Sequence, residues 1–213
     1  APEMENRIPA KLSNLKQAVF YYQSTADGDV KKLREPIKTL DNNMKLVTNP
    51  LVNYKFDNFK DASHYSLVLY SIPNALYYFF DSYKPISSVE YTEKIATLPS
   101  GYVDYLINKY DVLTKKLGFQ IPIRTNDFKA IEAAILKNKA YPELDKLAEI
   151  ANKNYPKSML ADYELGLMYE KMGDNKKAAK YYQSASQLNE IGSLTKDMMM
   201  NKYEDMKNLM PKK

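Results

Sequence analysis

The stretch FKDASHYSLVLYSIPNALYYFFDSYKPIS, Phe59 to Ser87, holds the chain's only histidine, His64, in a short polar turn between two apolar segments. Upstream of it, Val52, Tyr54, Phe56 and Asn58 alternate with Asn53, Lys55 and Asp57, a period of two that predicts a strand. Downstream, Leu76, Tyr77, Phe79, Phe80 and Tyr83 recur at helical spacing and predict a helix with one face meant for burial. Ser71 is placed to cap that helix, and Pro73 to sit in its first turn, where a missing N–H costs little. His64 thus falls at the carboxyl end of a strand and ahead of a helix, where α/β folds put their chemistry.

An imidazole works as a general base when a second group orients it, so the upstream sequence matters. Ala18 to Ser24 is an apolar run that ends in Thr25-Ala26-Asp27-Gly28-Asp29. An amphipathic helix over about Val30 to Leu46 follows, with Val30, Leu33, Ile37, Leu40 and Met44 on one stripe, and then the strand from Val52. Two parallel strands joined by a crossover helix place both following turns on the same edge of the sheet. Asp27 is therefore the expected partner of His64, because it follows the strand more immediately, with Asp29 as the alternative. Each residue also has a plainer role. Thr-Ala-Asp-Gly-Asp is good turn chemistry, an aspartate before a helix caps it, and a lone histidine in a turn is commonly an ordinary surface residue.

The order acid turn, crossover helix, strand, histidine turn, helix resembles the last third of a serine α/β-hydrolase, in which the triad runs Ser, Asp/Glu, His along the chain. The wording resembles the esterase family related to siderophore (enterobactin-type) esterases, in the form that carries a helical-repeat tail. The match is carried by the run into Asp27, by Phe56-x-x-Phe59-x-x-Ala62-Ser63-His64-Tyr65-Ser66, and by Ile72-Pro73-x-Ala75-Leu76-x-x-x-Phe80. It covers Val19 to about Tyr91 well and the tail moderately. The resemblance implies catalysis of ester hydrolysis by His64 and its acid, an exported or periplasmic location, and no cofactor. The chain departs from the family pattern in lacking the nucleophile elbow G-x-S-x-G, since its glycines (28, 101, 118, 166, 173, 192) are too far apart to form one. It reads as the C-terminal portion of a longer enzyme, beginning Ala1-Pro2-Glu3 after the nucleophile, so its first expected partner is the missing N-terminal part of the same protein. The Val19–Ser24 strand would lack its outer neighbour, and such an apolar edge tends to pair, which predicts a homo-oligomer through that edge.

Composition excludes several other chemistries. The 213 residues carry 31 Lys and Arg against 26 Asp and Glu, interleaved rather than blocked, which marks solvated helix faces and not a nucleic-acid footprint. There is no cysteine, which removes disulfides and thiolate metal sites, and a single histidine leaves no transition-metal site in prospect. Phosphate-cradling glycine motifs and EF-hand spacing are missing, and no apolar stretch is long enough to span a membrane.

From Lys84 onward the pattern is helical throughout. Ser87-x-x-Glu90 is a capping box opening a short helix to about Thr97, and Ser100 is placed to cap a second, Gly101 to Leu117, which Gly118 ends. Leu165-Gly166, Tyr169, Ala178, Tyr182 and Ala185 resemble the positions of a tetratricopeptide repeat, with Gly173-Asp174 as its turn. A degenerate copy lies one period earlier in Ile131, Ile135, Leu144, Ala148, Ala151 and Pro156, and a helix over about Leu194 to Leu209 caps the array. Lys129, Tyr163, Leu167 and Glu170 fall on the face where such arrays hold peptides, a candidate peptide groove.

The expected fold is mainly α with a small α/β part: a partial α/β-hydrolase of two parallel strands with helices, then a tetratricopeptide-like array. Its three parts are residues 1–84, 85–124 and 125–213. The expected function is that of a C-terminal fragment of a serine ester hydrolase, inactive alone. The alternative is a non-enzymatic protein-interaction module built on the repeats.

Overall fold

The computed structural model describes residues 3–210. Ala1, Pro2 and residues 211–213, the outer ends of the expected parts 1–84 and 125–213, lie outside the described residues. The fold is mainly α with a small α/β part. The chain divides into two compact units: residues 3–84 together with Val112–Gln120, and Pro85–Asp111 together with 121–210.

The first unit runs α1 (Met4–Ser13), β1 (Val19–Gly28), α2 (Lys31–Lys45), β2 (Val52–Ser63) and α3 (Leu67–Phe80), closing in a 3-10 turn, Asp81–Tyr83. β1 and β2 pair in parallel, from Val19 opposite Val52 to Ala26 opposite Phe59. A crossover of this kind needs a helix between the strands, and α2 supplies it. Alternation along β1 sends successive side chains to opposite faces. Tyr21 and Gln23 face α2: Tyr21 stacks on Tyr54 at 5.9 Å, and the Gln23 amide donates to the Ile37 carbonyl at 2.9 Å. Phe20, Tyr22 and Ser24 face α3, through ring contacts with Tyr78 and Phe79 and a 2.7 Å hydroxyl pair between Ser24 and Ser71.

A polar network fixes α2 on the sheet. The Tyr54 hydroxyl donates to the buried Asp41 carboxylate at 2.8 Å and lies 3.2 Å from Gln23 Oε1, and Lys45 reaches Asp41 at 2.6 Å. Burial first, and then the Asp41 charge, push the Tyr54 hydroxyl far above the usual phenol range. Leu40, Met44, Ala26 and Ala62 are buried apolar residues around it.

Three local expectations are corrected here. The opening segment, where Pro2, Pro9 and weak periodicity predict a loop with one helical turn, forms the ten-residue α1, whose C-terminal carbonyls at Leu12 (3.1 Å) and Ser13 (3.3 Å) are met by Asn49 Nδ2. The helix expected to start at Ser71 starts a full turn earlier, at Leu67. Ser71 lies inside it, bonded back to the Leu67 carbonyl, and Pro73 lies in its middle. Most of the face read as core is exposed: Leu76 is 50%, Tyr77 71% and Phe80 56% accessible, while Phe79 and Tyr83 are half-buried and no described residue of α3 is fully buried. A two-stranded sheet is too narrow to cover more than the Ser71, Tyr78 and Phe79 side of the helix.

The second unit starts at α4 (Ser88–Glu90), capped by Ser87 Oγ accepting from the Glu90 N–H and continued by a wider π turn, Tyr91–Ile95. Next comes α5 (Tyr102–Leu117), whose residues from Val112 group with the first unit. Its free N-terminal N–H groups are not met by Ser100. The Glu143 carboxylate accepts from Gly101 N–H at 2.7 Å and Val103 N–H at 3.2 Å, an acidic cap supplied from elsewhere in the unit.

The remaining helices are α6 (Thr125–Lys137), α7 (Glu143–Asn154), α8 (Leu160–Lys171), α9 (Asn175–Ala185) and α10 (Lys196–Asn208), with each of α7 to α10 packing on its predecessor. The turns between α6 and α7 and between α8 and α9 repeat one conformation: Lys139 has φ 56° and Gly173 φ 80°, one 34-residue period apart. Asp174 Oδ1 caps α9 by accepting from Lys177 N–H at 3.0 Å. Phe128, Ile131, Ile135, Leu144, Leu147, Ala151, Ala178, Tyr182 and Met199 are fully buried, and of the three consecutive methionines only Met199 is core.

Close approach of α8 and α9 depends on Gly166. A Cβ there would stand 2.6 Å from Tyr182 Cε1, and Tyr182 is itself held by a 2.6 Å hydrogen bond to Glu170. Gly166→Ala should therefore lower the unfolding free energy by about 1–3 kcal/mol through overpacking, read as a fall in the urea midpoint. A midpoint equal to that of the unmodified chain would show that the ring has room to move.

Candidate active site

β1 and β2 stay in simple register as far as Ala26 opposite Phe59, and the next pair is Gly28 opposite Ser63. The extra residues on β2 form a bulge in which Asp61 adopts φ 62°, and bulges of this kind re-aim the side chains that follow. The strands close tightly at this point: a Cβ on Gly28 would lie 2.7 Å from the Ala62 carbonyl oxygen. Residue 28 must therefore be small for the ends of the two strands to meet, and this meeting sets Asp29 and His64 side by side.

The turn carrying His64 is fastened by two serines. Ser63 N–H donates to Ser66 Oγ at 2.8 Å, Ser66 N–H donates to Ser63 Oγ at 3.1 Å, and the hydroxyls lie 3.0 Å apart. The Ser-x-x-Ser spacing was a signal in the sequence that this reciprocal pairing explains. Tyr65 meets the imidazole edge-on at 5.6 Å between centroids.

His64 Nδ1 lies 2.7 Å from Asp29 Oδ1. The Asp29 side chain is 4% exposed and that of His64 49%, so the acid is inside and the imidazole reaches outward. Oδ1 of Asp29 also accepts the Val30 N–H at 2.7 Å, and Oδ2 the Thr25 hydroxyl at 3.3 Å. Burial pushes the Asp29 carboxyl up, but the Val30, His64 and Thr25 bonds together outweigh it and hold it below the usual carboxylate range. An ionised carboxylate facing Nδ1 selects the tautomer with its proton on Nδ1. That leaves the Nε2 lone pair directed away from the acid. No described residue hydrogen-bonds to Nε2. The arrangement can take up a proton at Nε2 while the carboxylate stabilises the resulting imidazolium.

Asp27, ranked first from the sequence, is the wrong neighbour for the imidazole. β1 runs on to Gly28, so the strand ends four residues beyond Ser24, where its apolar run stops. Asp27 is exposed, and its backbone carbonyl accepts from the Arg34 guanidinium. The acid at His64 is Asp29, the first residue beyond the strand. Among described residues no group of three or more His, Cys, Asp or Glu is placed to hold a metal ion.

The four residues of the expected peptide groove do not form one surface. Tyr163 and Leu167 are buried at 7% and 4% exposure. Glu170 accepts from Lys171 at 2.8 Å, Tyr182 at 2.6 Å and Lys202 at 2.9 Å. Burial opposes its ionisation, but these donors prevail and bring its carboxyl down to about 2. Lys129 and Tyr163 line a separate cavity with Glu132 and Glu164, an acidic pair that sequence reading did not single out.

No protein-family model matches the sequence, and no curated protein matches it. The crystal structure of an uncharacterised protein from Capnocytophaga ochracea DSM 7271 is similar, at 32% sequence identity and a TM-score of 0.73. The similarity covers 98% of this chain and 59% of that one, so the chain spans about three fifths of that protein's length.

Because the folded Asp29 carboxyl is held below its ordinary value, its contribution to stability is present above about pH 4 and is lost as the pH falls through the folded value. Asp29→Asn should cost about 1–3 kcal/mol at pH 7, the scale of hydrogen bonds to a charged group, with a smaller difference at pH 3. Urea titrations at both pH values check this. A gap that is constant or widens toward acid pH would contradict the assignment.

Proposed function

We propose that this chain is the C-terminal part of a serine ester hydrolase and supplies the base and the orienting acid of its catalytic triad. The observation that carries the reading is the 2.7 Å contact between a buried aspartate and an outward-reaching histidine, each just past the end of one of two parallel strands. The order of elements and the resemblance in sequence support the same class.

In the reaction, a serine from a part of the protein outside this sequence attacks the ester carbonyl. His64 Nε2 takes the hydroxyl proton as the C–O bond forms, and Asp29 holds the ring and stabilises the imidazolium. Collapse of the tetrahedral intermediate breaks the bond to the alcohol, which leaves with the proton from Nε2. Water, deprotonated by the same nitrogen, then attacks the acyl-enzyme and releases the acid.

Two further features support a chain that works as part of something larger. The apolar side of α3 is uncovered at Leu76, Tyr77 and Phe80, a surface suited to the rest of an α/β sheet and its helices. The similar Capnocytophaga protein also extends well beyond the shared region. The second reading, a non-enzymatic interaction module, draws on one observation, the cavity lined by Glu132 and Glu164 in the helical unit.

The full-length gene product should hydrolyse p-nitrophenyl butyrate, and the present chain alone should not. In the full-length protein His64→Ala should lower kcat at least about a thousandfold. Asp29→Asn should lower it by a comparable factor, and Asp27→Asn by about twofold or less. Turnover by this chain alone, or full activity in the His64→Ala protein, would remove the proposal and favour the interaction module.

A further inference from the structure

The helical unit holds a cavity of about 270 Å³ lined from α6, α8, the 191–194 segment and the start of α10. Glu164 of α8 is on its lining and is 0% exposed, and no protein group donates to either of its carboxyl oxygens. Buried polar groups are nearly always satisfied, so a carboxyl with both oxygens open needs a reason. Glu132 of α6 lines the same cavity and accepts a single 3.2 Å bond from the Tyr163 hydroxyl. Burial first, and then the charge of Glu132, push the Glu164 carboxyl well up, and burial raises that of Glu132. The pair thus tolerates burial at rest by keeping a proton.

One side of the lining is hydrocarbon, from Leu160, Ile191, Leu194 and Met198, and Thr125, Lys129, Tyr163 and Ser193 complete it. Two carboxyl groups with spare acceptor sites beside an apolar sleeve complement one chemical shape: an alkyl chain ending in an ammonium, which offers three donors and no acceptor. The charges of Lys129 and Lys202 partly offset the effect of burial on Glu132, but the Lys129 ammonium donates to Ser193 Oγ at 2.7 Å and that of Lys202 to Glu170 at 2.9 Å, so neither hydrogen-bonds to Glu132 or Glu164.

We propose that this cavity binds a primary alkylammonium group, carried by a lysine side chain or a small free diamine, with the charge at Glu164 and Glu132 and the methylenes against Leu194 and Met198. The ammonium replaces the retained proton as the neutralising charge. This site does not depend on the esterase reading, since it lies wholly within the second unit.

The test titrates the 213-residue chain, followed by NMR, with n-pentylammonium, 1-pentanol, cadaverine and Nα-acetyl-lysine methylamide. Pentylammonium should saturate with a Kd below about 10 mM, and pentanol should bind at least about tenfold more weakly. Tighter binding of cadaverine identifies a free diamine as the source, and tighter binding of the acetyl-lysine amide identifies a protein side chain. Glu164→Gln, which keeps the shape, should weaken pentylammonium at least about tenfold with no loss of thermal midpoint. Met198→Trp, which fills the cavity from a half-open position, should do the same if the glutamine variant folds poorly. No saturable binding by the unmodified chain, equal binding of pentanol, or unchanged affinity in a folded Glu164→Gln protein would each overturn the proposal.

Discussion

Parallel strands linked by one helix cannot be joined by a tight turn, and their carboxyl ends must emerge on the same side. In this chain that constraint alone brings residues 35 apart in sequence, Asp29 and His64, within 2.7 Å. Everything around the pair serves to hold the two ends together: α2 clamped by Asp41 and Tyr54, the close approach at Gly28, the bulge at Asp61 and the serine pair that fastens the histidine turn. The sheet has two strands, yet both of its faces are engaged, by α2 on one side and by Ser71, Tyr78 and Phe79 of α3 on the other.

What could be read from the sequence followed from periodicity and what could not followed from endings. Val52 to Phe56 alternates, α2 carries a clean apolar stripe, and Gly166 with Tyr182 and Ala178 has repeat spacing, so strand, helix and helical hairpin were all legible. Asp29 was outranked by Asp27 because the apolar run stops before β1 does: Thr25, Ala26 and Gly28 extend the strand through backbone pairing, which leaves little trace in hydrophobicity. The start of α3 was missed for a similar reason. Ser63 and Ser66 close the turn through their own hydroxyls, while Ser71 and Pro73, which look like a helix start, lie inside a helix.

The apolar face of α3 was misjudged for a different reason. Periodicity shows that a face is apolar, but not whether the same stretch of chain supplies its cover. Glu132 and Glu164 were invisible because an acidic residue on an amphipathic helix reads as solvated unless its neighbours across the unit are known. Only the packing of α6 against α8 and the 191–194 segment makes them a pair.

The Tyr54–Asp41–Gln23 network has a consequence for how the sheet finds its alignment. Side chains alternate along a strand, so sliding β2 by one residue against β1 would carry Tyr54 to the opposite face and put Asn53 or Lys55 above α2. Hydrophobic patterning would resist such a slip only weakly, since Phe20, Tyr21, Tyr22, Tyr54 and Phe56 supply aromatic rings to both faces. Asp41 would resist it more, because in a slipped sheet its buried carboxylate would lose its phenolic donor and keep only Lys45, and an acceptor left open on a buried charge is costly. The network therefore acts as a key that admits one alignment of the strands, the one in which Gly28 meets Ser63 and the aspartate that follows can reach the imidazole.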